Sequence, residues 1–153
     1  MTMEEYPLLN DFLYEAIFIP DSITPPPKNI IASPELQIYV NQFGLLKDDF
    51  ALVAEVEKKI VGAVWVRIMH DYGHIDDETP SLAISLYKEY RGQGIGTNMM
   101  KEILSLLKTH GYKRVSLSVQ KVNYAAKMYR KIGFNIIREN NEEWIMLWQE
   151  DRH

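Results

Sequence analysis

Apolar residues recur at helical spacing over residues 7–19, where Leu8, Leu9, Phe12, Leu13, Ala16 and Ile17 form one stripe. Pro7 suits a first helical position, and Pro20 ends the segment. Asp21 to Asn29 contains Pro25-Pro26-Pro27, a stiff extended connector that reads equally as a wall over a substrate cleft or as a plain surface loop. Pro34 to Gly44 repeats Leu36, Tyr39, Val40 and Phe43 at helical spacing, with Ser33 as N-cap and Gly44 as stop. Phe50 to Val56 and Ile60 to Met69 then read as two strands of a hairpin that turns at Glu57-Lys58-Lys59. A polar loop follows over residues 70–79, and Pro80 opens a third strand through Leu82-Ala83-Ile84-Ser85-Leu86. Ile95, Met99, Met100, Ile103, Leu104, Leu106 and Leu107 mark a long helix that stops at Gly111. Val115, Leu117 and Val119 alternate with Ser116, Ser118 and Gln120, the pattern of a strand buried on one face. Asn123 caps a short helix carrying Ala125, Ala126, Met128, Tyr129 and Ile132, and Gly133 stops it. Phe134 to Arg138 and Trp144 to Trp148 are two last strands, joined by a turn at Glu139-Asn140-Asn141-Glu142. This order predicts an α/β (α+β) fold: a mixed sheet with helices on its faces and right-handed crossovers, in one domain over residues 1–153.

Composition narrows the class further. The chain has 153 residues, which suits one domain with a sizeable core. Its 46% hydrophobic and 25% charged residues are ordinary for a globular protein. It has no cysteine, which excludes disulfides, thiolate metal sites and a cysteine nucleophile. Net charge is −4 and the pI is near 5.6, so there is no general basic footprint for nucleic acid. The apolar runs fall well short of the ~18 residues a membrane span needs. Met1-Thr2-Met3-Glu4-Glu5 lacks the basic start of a secretory signal. The expectation is a cytoplasmic protein with no nucleic-acid or membrane partner.

The candidate chemistry centres on Arg91-Gly92-Gln93-Gly94-Ile95-Gly96-Thr97, between the third strand and the long helix. Glycines let a ligand approach the backbone closely, and the first turn of a helix offers unpaired N–H groups at a positive dipole end. Together they make a phosphate cradle. A Walker loop would need Gly and Lys where Thr97 and Asn98 stand. The dinucleotide fingerprint would need Gly in place of Thr97 and an acidic residue about 20 positions on, where the chain reads Val115-Ser116-Leu117-Ser118. What remains is Arg91-x-x-Gly94-x-Gly96.

That motif resembles the pyrophosphate loop of the GNAT superfamily, the acyl-CoA-dependent N-acyltransferases. A second signature follows on the next helix, Asn123-Tyr124-Ala125-Ala126-Lys127-Met128-Tyr129-Arg130-Lys131-Ile132-Gly133-Phe134, similar to the Asn, Ala, Tyr and Gly-Phe of that family. The resemblance covers about residues 50–148 and more loosely the two N-terminal helices. It implies a mostly antiparallel central sheet whose fourth and fifth strands splay apart around the cofactor. Relatives usually begin with a strand; here Met1 to Tyr6 is short and acidic for one.

The resemblance implies acetyl-CoA as acyl-donor cosubstrate and a primary amine, on a small molecule or peptide, as acceptor. The pyrophosphate would sit on the amides of Gly92, Gln93, Gly94, Ile95, Gly96 and Thr97, with Arg91 adding charge or standing in solvent. The pantetheine arm would pair with the backbone of Ile84 and Leu86 like an added strand, and Asn123 would contact it besides capping its helix. Tyr129 matches the usual general acid, whereas its helical spacing alone favours a core role. A phenol near ~10 can protonate a thiolate whose conjugate acid is near ~8.5.

The general base is open. Ser118 stands where some relatives carry Glu on the fifth strand, and others use an ordered water. His74, Asp77 and Glu78 are weaker candidates, and Glu89 weaker still. The need is real, because an amine of pKa ~10.4 is neutral in only about one molecule in a few thousand at pH 7. His70-x-x-x-His74 with Asp76, Asp77 and Glu78 contains metal-ligand types, but a loop gives no helical alignment, and the expectation is no metal. A non-catalytic acyl-CoA-binding or sensor domain, and a structural module with an incidental glycine loop, are the competing functions. Trp144 to Trp148 reads as a buried strand or as part of a homodimer surface.

Overall fold

The computed structural model describes residues 3–16, 37–68, 75–76, 78–121, 123 and 125–150. The triproline connector, the histidines of the 70–79 loop and Asp77 lie outside them. Six strands form one sheet: β1 (Phe50–Val56), β2 (Lys59–Arg67), β3 (Ser81–Leu86), β4 (Arg114–Gln120), β5 (Asn135–Glu139) and β6 (Glu143–Gln149). Their spatial order is β1-β2-β3-β4-β6-β5. The pair β3/β4 is parallel and the other pairs are antiparallel. Among the described residues, the α-helices α1 (Leu9–Ala16), α2 (Ile95–Thr109) and α3 (Ala125–Ile132) accompany the sheet.

The faces of the sheet are divided by residue parity. Leu82 and Leu86 of β3 join Val115, Leu117 and Val119 of β4 in a core closed by α2 and α3. The buried positions of α2 are Met99, Met100, Ile103, Leu104 and Leu107, the stripe that the 3.6-residue period predicts. Ala63 and Trp65 face the other way, against Leu9, Phe12 and Leu13 of α1 and Val40 and Phe43.

Three local features differ from expectation. The predicted first helix begins earlier and as a 3-10 helix over Met3–Leu8, with Glu4 and Glu5 in its first turn. Acidic residues favour the positive end of a helix, so the acidity that speaks against a strand here supports a helical start. The predicted helix ending at Gly44 is already a series of turns beyond Gln37. Side chains of β2 take its carbonyls: Trp65 Nε1 donates to Tyr39 O at 3.1 Å, and Arg67 donates to Ile38 O and Asn41 O at 3.3 and 2.9 Å. The β1/β2 turn has only two residues, Glu57 and Lys58, both at positive φ (50° and 69°), the mirror-image geometry that matches strand twist. Of the two readings open for Trp144–Trp148, the buried strand is the one observed: β6 lies between β4 and β5 with Ile145, Met146 and Trp148 buried.

Candidate active site

The two parallel strands at the centre of the sheet touch only at one end. Ser81 pairs with Ser116, and Ser116 N–H donates to Pro80 O at 3.0 Å. Beyond that point no further pair forms, although β3 runs on to Leu86 and β4 to Gln120. The ladder therefore opens into a gap. At the far end Tyr87 N–H donates to Val61 O on β2 at 2.9 Å. Backbone groups alternate sides along a strand, so the main chain of Ser85 turns to β2 while that of Ile84 and Leu86 turns into the gap.

The glycine turn stands at the mouth of this gap. Gly92 and Gly94 have φ of 77° and 84°, conformations that L side chains rarely adopt, and a Cβ at either would meet nothing within 4 Å. The backbone here is thus open to a ligand. Gly94 is the N-cap of α2, and Asn98 N–H closes the first helical bond on its carbonyl at 3.1 Å. The amides of Ile95, Gly96 and Thr97 have no intrahelical acceptor and point out of the helix start. Arg91 does more than add charge: its Nε donates to Leu86 O at 2.9 Å and ties the turn to the end of β3. Gln93 braces the same turn, donating to Glu89 O at 3.1 Å. A pyrophosphate fits this chemistry, since the donors are amides and the cradle has no Cβ to fill it.

Gly96 separates binding from folding. A Cβ there would meet Met128 Sδ at 3.7 Å, an ordinary contact, and its φ is not positive. Gly96→Glu is expected to weaken coenzyme A binding about ten- to a hundredfold, the worth of one like charge close to the phosphates. The fold should survive. Calorimetric titration beside a thermal melt checks this, and a folded variant with wild-type affinity would remove the phosphate reading.

Two further predicted residues approach from α3. Asn123 Oδ1 accepts Ala125 N–H at 2.9 Å, so the side chain caps the helix through its oxygen and keeps its NH2 for another partner. Tyr129 is buried on the α2 side of the sheet, 7% exposed, with its ring 6.1 Å from that of Phe134. Burial alone pushes its phenol up to about 12. The hydroxyl therefore keeps its proton throughout the physiological range.

A sheet opened between two parallel strands, a glycine turn at the opening and a buried tyrosine on the following crossover are accompanied by a direct sequence match. The profile of the acetyltransferase (GNAT) family matches residues 16–134. The chain belongs to that family. Among curated proteins it is similar to human N-acetyltransferase 8B, 27% identical over 97 residues; the match takes in 63% of this chain and 41% of that protein. The chain thus spans about two-fifths of this relative's length. Among solved structures it superposes on the PaiA N-acetyltransferase from Thermoplasma acidophilum in complex with coenzyme A. The TM-score is 0.72 at 19% identity, covering 98% of this chain and 96% of that one. The ribosomal-protein-S18-alanine N-acetyltransferase from Escherichia coli superposes at TM-score 0.67 and 19% identity, over 97% and 90% of the two chains. At such identities the superpositions establish the shared GNAT fold.

Within this GNAT fold the base candidates fare unequally. Glu78 is exposed and precedes β3 at the closed end of the β3/β4 pair, a full strand length from the glycine turn. Glu89 lies in the exposed 3-10 turn beyond β3. Ser118 sits half-buried on β4, on the face away from Tyr129. His74 and Asp77 lie outside the described residues, as does His70. Among the described residues no group of three or more metal-ligating side chains is placed to hold an ion, and no helix is long and apolar enough to cross a membrane. A cleft of about 820 Å³ at the closed end of the sheet is lined by Lys47, Asp48, Glu78, Tyr112, Lys113 and Arg114. Two of its polar groups are engaged: Tyr112 donates its hydroxyl to Asp48, burial and then that bond raising its pKa, and Arg114 pairs with Asp76 at 2.6 Å.

Proposed function

We propose that this GNAT protein transfers an acetyl group from acetyl-CoA to a primary amine of a small molecule or peptide, with Tyr129 as general acid. The observation that carries this is the gap between β3 and β4, with the main chain of Ile84 and Leu86 turned into it, the glycine turn at its mouth and Tyr129 on one side. Acetyl-CoA supplies the acyl group, activated as a thioester. The amides of residues 92–97 receive its pyrophosphate, and Ile84 and Leu86 pair with the pantetheine amides as a neighbouring strand would. Arg91 already holds Leu86 O, which leaves Leu86 N–H and both groups of Ile84 for that pairing. Asn123 adds its NH2.

As the amine nitrogen bonds to the acyl carbon and the carbon–sulfur bond breaks, Tyr129 delivers its proton to the departing sulfur. The amine's surplus proton leaves to solvent, and solvent restores the phenol. A phenol at about 12 is a weaker donor than a free one. The same desolvation opposes a thiolate beside it, however, and keeps the two groups nearly matched.

Acetyl-CoA is expected to raise Tm, because a ligand that binds only the native state stabilises it by mass action. Turnover is read as released CoA with glycinamide, 1,4-diaminobutane and Ala-Ala-Ala as acceptors, covering amino amides, polyamines and peptide N-termini. The chain has no cysteine, so a thiol reagent detects only the product. An unchanged Tm at saturating acetyl-CoA overturns the cofactor. A raised Tm without turnover of any acceptor makes the protein an acyl-CoA sensor.

A further inference from the structure

The thioether of Met128 packs on the first turn of α2, beside the phosphate cradle. A Cβ on Gly96 would meet Met128 Sδ at 3.7 Å and Cε at 3.9 Å, so this side chain covers the backbone that the glycine leaves bare. Met128 stands on α3 between the buried positions Ala126 and Tyr129 and is itself only half-buried. Met99, Met100 and Met146 of the same core are buried. Oxidation of sulfur follows its exposure. Compared with those core methionines, Met128 is the one that a small oxidant reaches from water.

The chain has no cysteine, so thioethers are the only sulfur it offers to an oxidant. A thioether is apolar and adaptable, and here it fills space between α2 and α3. A sulfoxide is polar, and its partly negative oxygen accepts hydrogen bonds. Beside Gly96 that oxygen would stand close to the amides of Ile95, Gly96 and Thr97, which have no intrahelical acceptor. It would take an amide that the phosphates need and set partial negative charge next to them.

We propose that Met128 is a reversible oxidation site through which hydrogen peroxide lowers the affinity for acetyl-CoA. The Sδ lone pair attacks one peroxide oxygen, and an S–O bond forms as the O–O bond breaks. The departing hydroxide takes the proton of the new S–OH group and leaves as water. The thioether loses an electron pair and the peroxide gains it. A methionine sulfoxide reductase, supplied with a thiol reductant, reverses the step and returns the oxygen as water. This rests on the reading of residues 92–97 as the pyrophosphate cradle and adds a control on it.

In the test, wild type and Met128→Leu are treated with hydrogen peroxide, and peptide mass spectrometry locates each added oxygen. Calorimetric titration gives Kd for acetyl-CoA before and after, and a thermal melt on the same samples separates lost affinity from lost fold. Oxidation at Met128 of the wild type is expected to raise Kd about tenfold, a change of the size that one displaced hydrogen bond brings. Met128→Leu nearly conserves the volume and lacks the sulfur, so peroxide should leave its own Kd where it was. Methionine sulfoxide reductase with dithiothreitol should restore the starting Kd of the oxidised wild type. Met128→Gln places a polar group there without any oxidant and should show a raised Kd by itself. An unchanged Kd in wild type carrying oxygen on Met128, or a Met128→Leu protein as sensitive as wild type, would overturn the proposal and leave acetyl-CoA binding standing. So would oxygen on Met99 or Met100 with none on Met128. An untreated wild type that binds no acetyl-CoA would overturn the cradle itself.

Discussion

Tyr129→Phe is expected to lower kcat by about 10²–10⁴, the usual worth of a positioned proton donor. The change keeps the ring, its contact with Phe134 and its place in the core, and deletes one oxygen. A purely structural tyrosine would make it nearly silent in activity. Affinity for acetyl-CoA should change little, because the phosphates and pantetheine meet other residues. The loss should appear in kcat, since the hydroxyl acts as the sulfur leaves. The pH dependence adds an independent readout. A phenol raised by folding from ~10 to about 12 contributes stability that is intact below ~10 and is lost as pH rises through the folded value. The Phe variant has no such loss, so its stability relative to wild type should improve above pH ~10. A variant with wild-type kcat, under conditions where chemistry limits the rate, would remove Tyr129 from the mechanism.

Asp49→Ala should cost about 3–5 kcal/mol of folding stability, a large part of the ~5–15 kcal/mol that holds a domain together. Asp49 and Arg67 form a bidentate pair at 3.0 and 3.1 Å, with side chains 0% and 5% exposed. The carboxylate also accepts the amides of Gly44 and Leu46, while the guanidinium donates to the carbonyls of Ile38 and Asn41 and lies over the Phe43 ring. The pair thus pins the 37–49 segment to the end of β2. Removing Asp49 strands a buried cation, while the amides of the exposed Gly44 and Leu46 can turn to water. Asp49→Leu with Arg67→Met should recover much of the loss, since no buried charge is then left unpaired. Urea denaturation with an unchanged m-value measures it; a midpoint shift worth less than about 1 kcal/mol would show that the pair does not hold the segment.

Much of this was legible locally. The strand–glycine turn–helix around Arg91–Thr97 and the capped helix at Asn123 depend on residues within a few positions of one another, and hydrophobic period and glycine conformation are local quantities. The five buried positions of α2 were likewise readable from spacing alone. As candidate site residues, Asn123 and Tyr129 stood out only through the family motif.

Sequence by itself determined the elements, the open glycine backbone and the cap at Asn123, because each follows from steric and hydrogen-bonding preferences within a turn or two of chain. That β3 and β4, the family's fourth and fifth strands, lie side by side and part was expected only through the resemblance, and the point of parting at Ser81 and Ser116 came from tertiary structure, since strand order depends on contacts between distant segments. Tertiary structure also decided that Tyr129 is buried on the α2 side of the sheet, a consequence of which helix covers which side. The same holds for Arg67, which ends an apolar run and finds Asp49 18 positions earlier. No local pattern announces that partnership, because its energy exists only once both groups have been withdrawn from water into the same buried place.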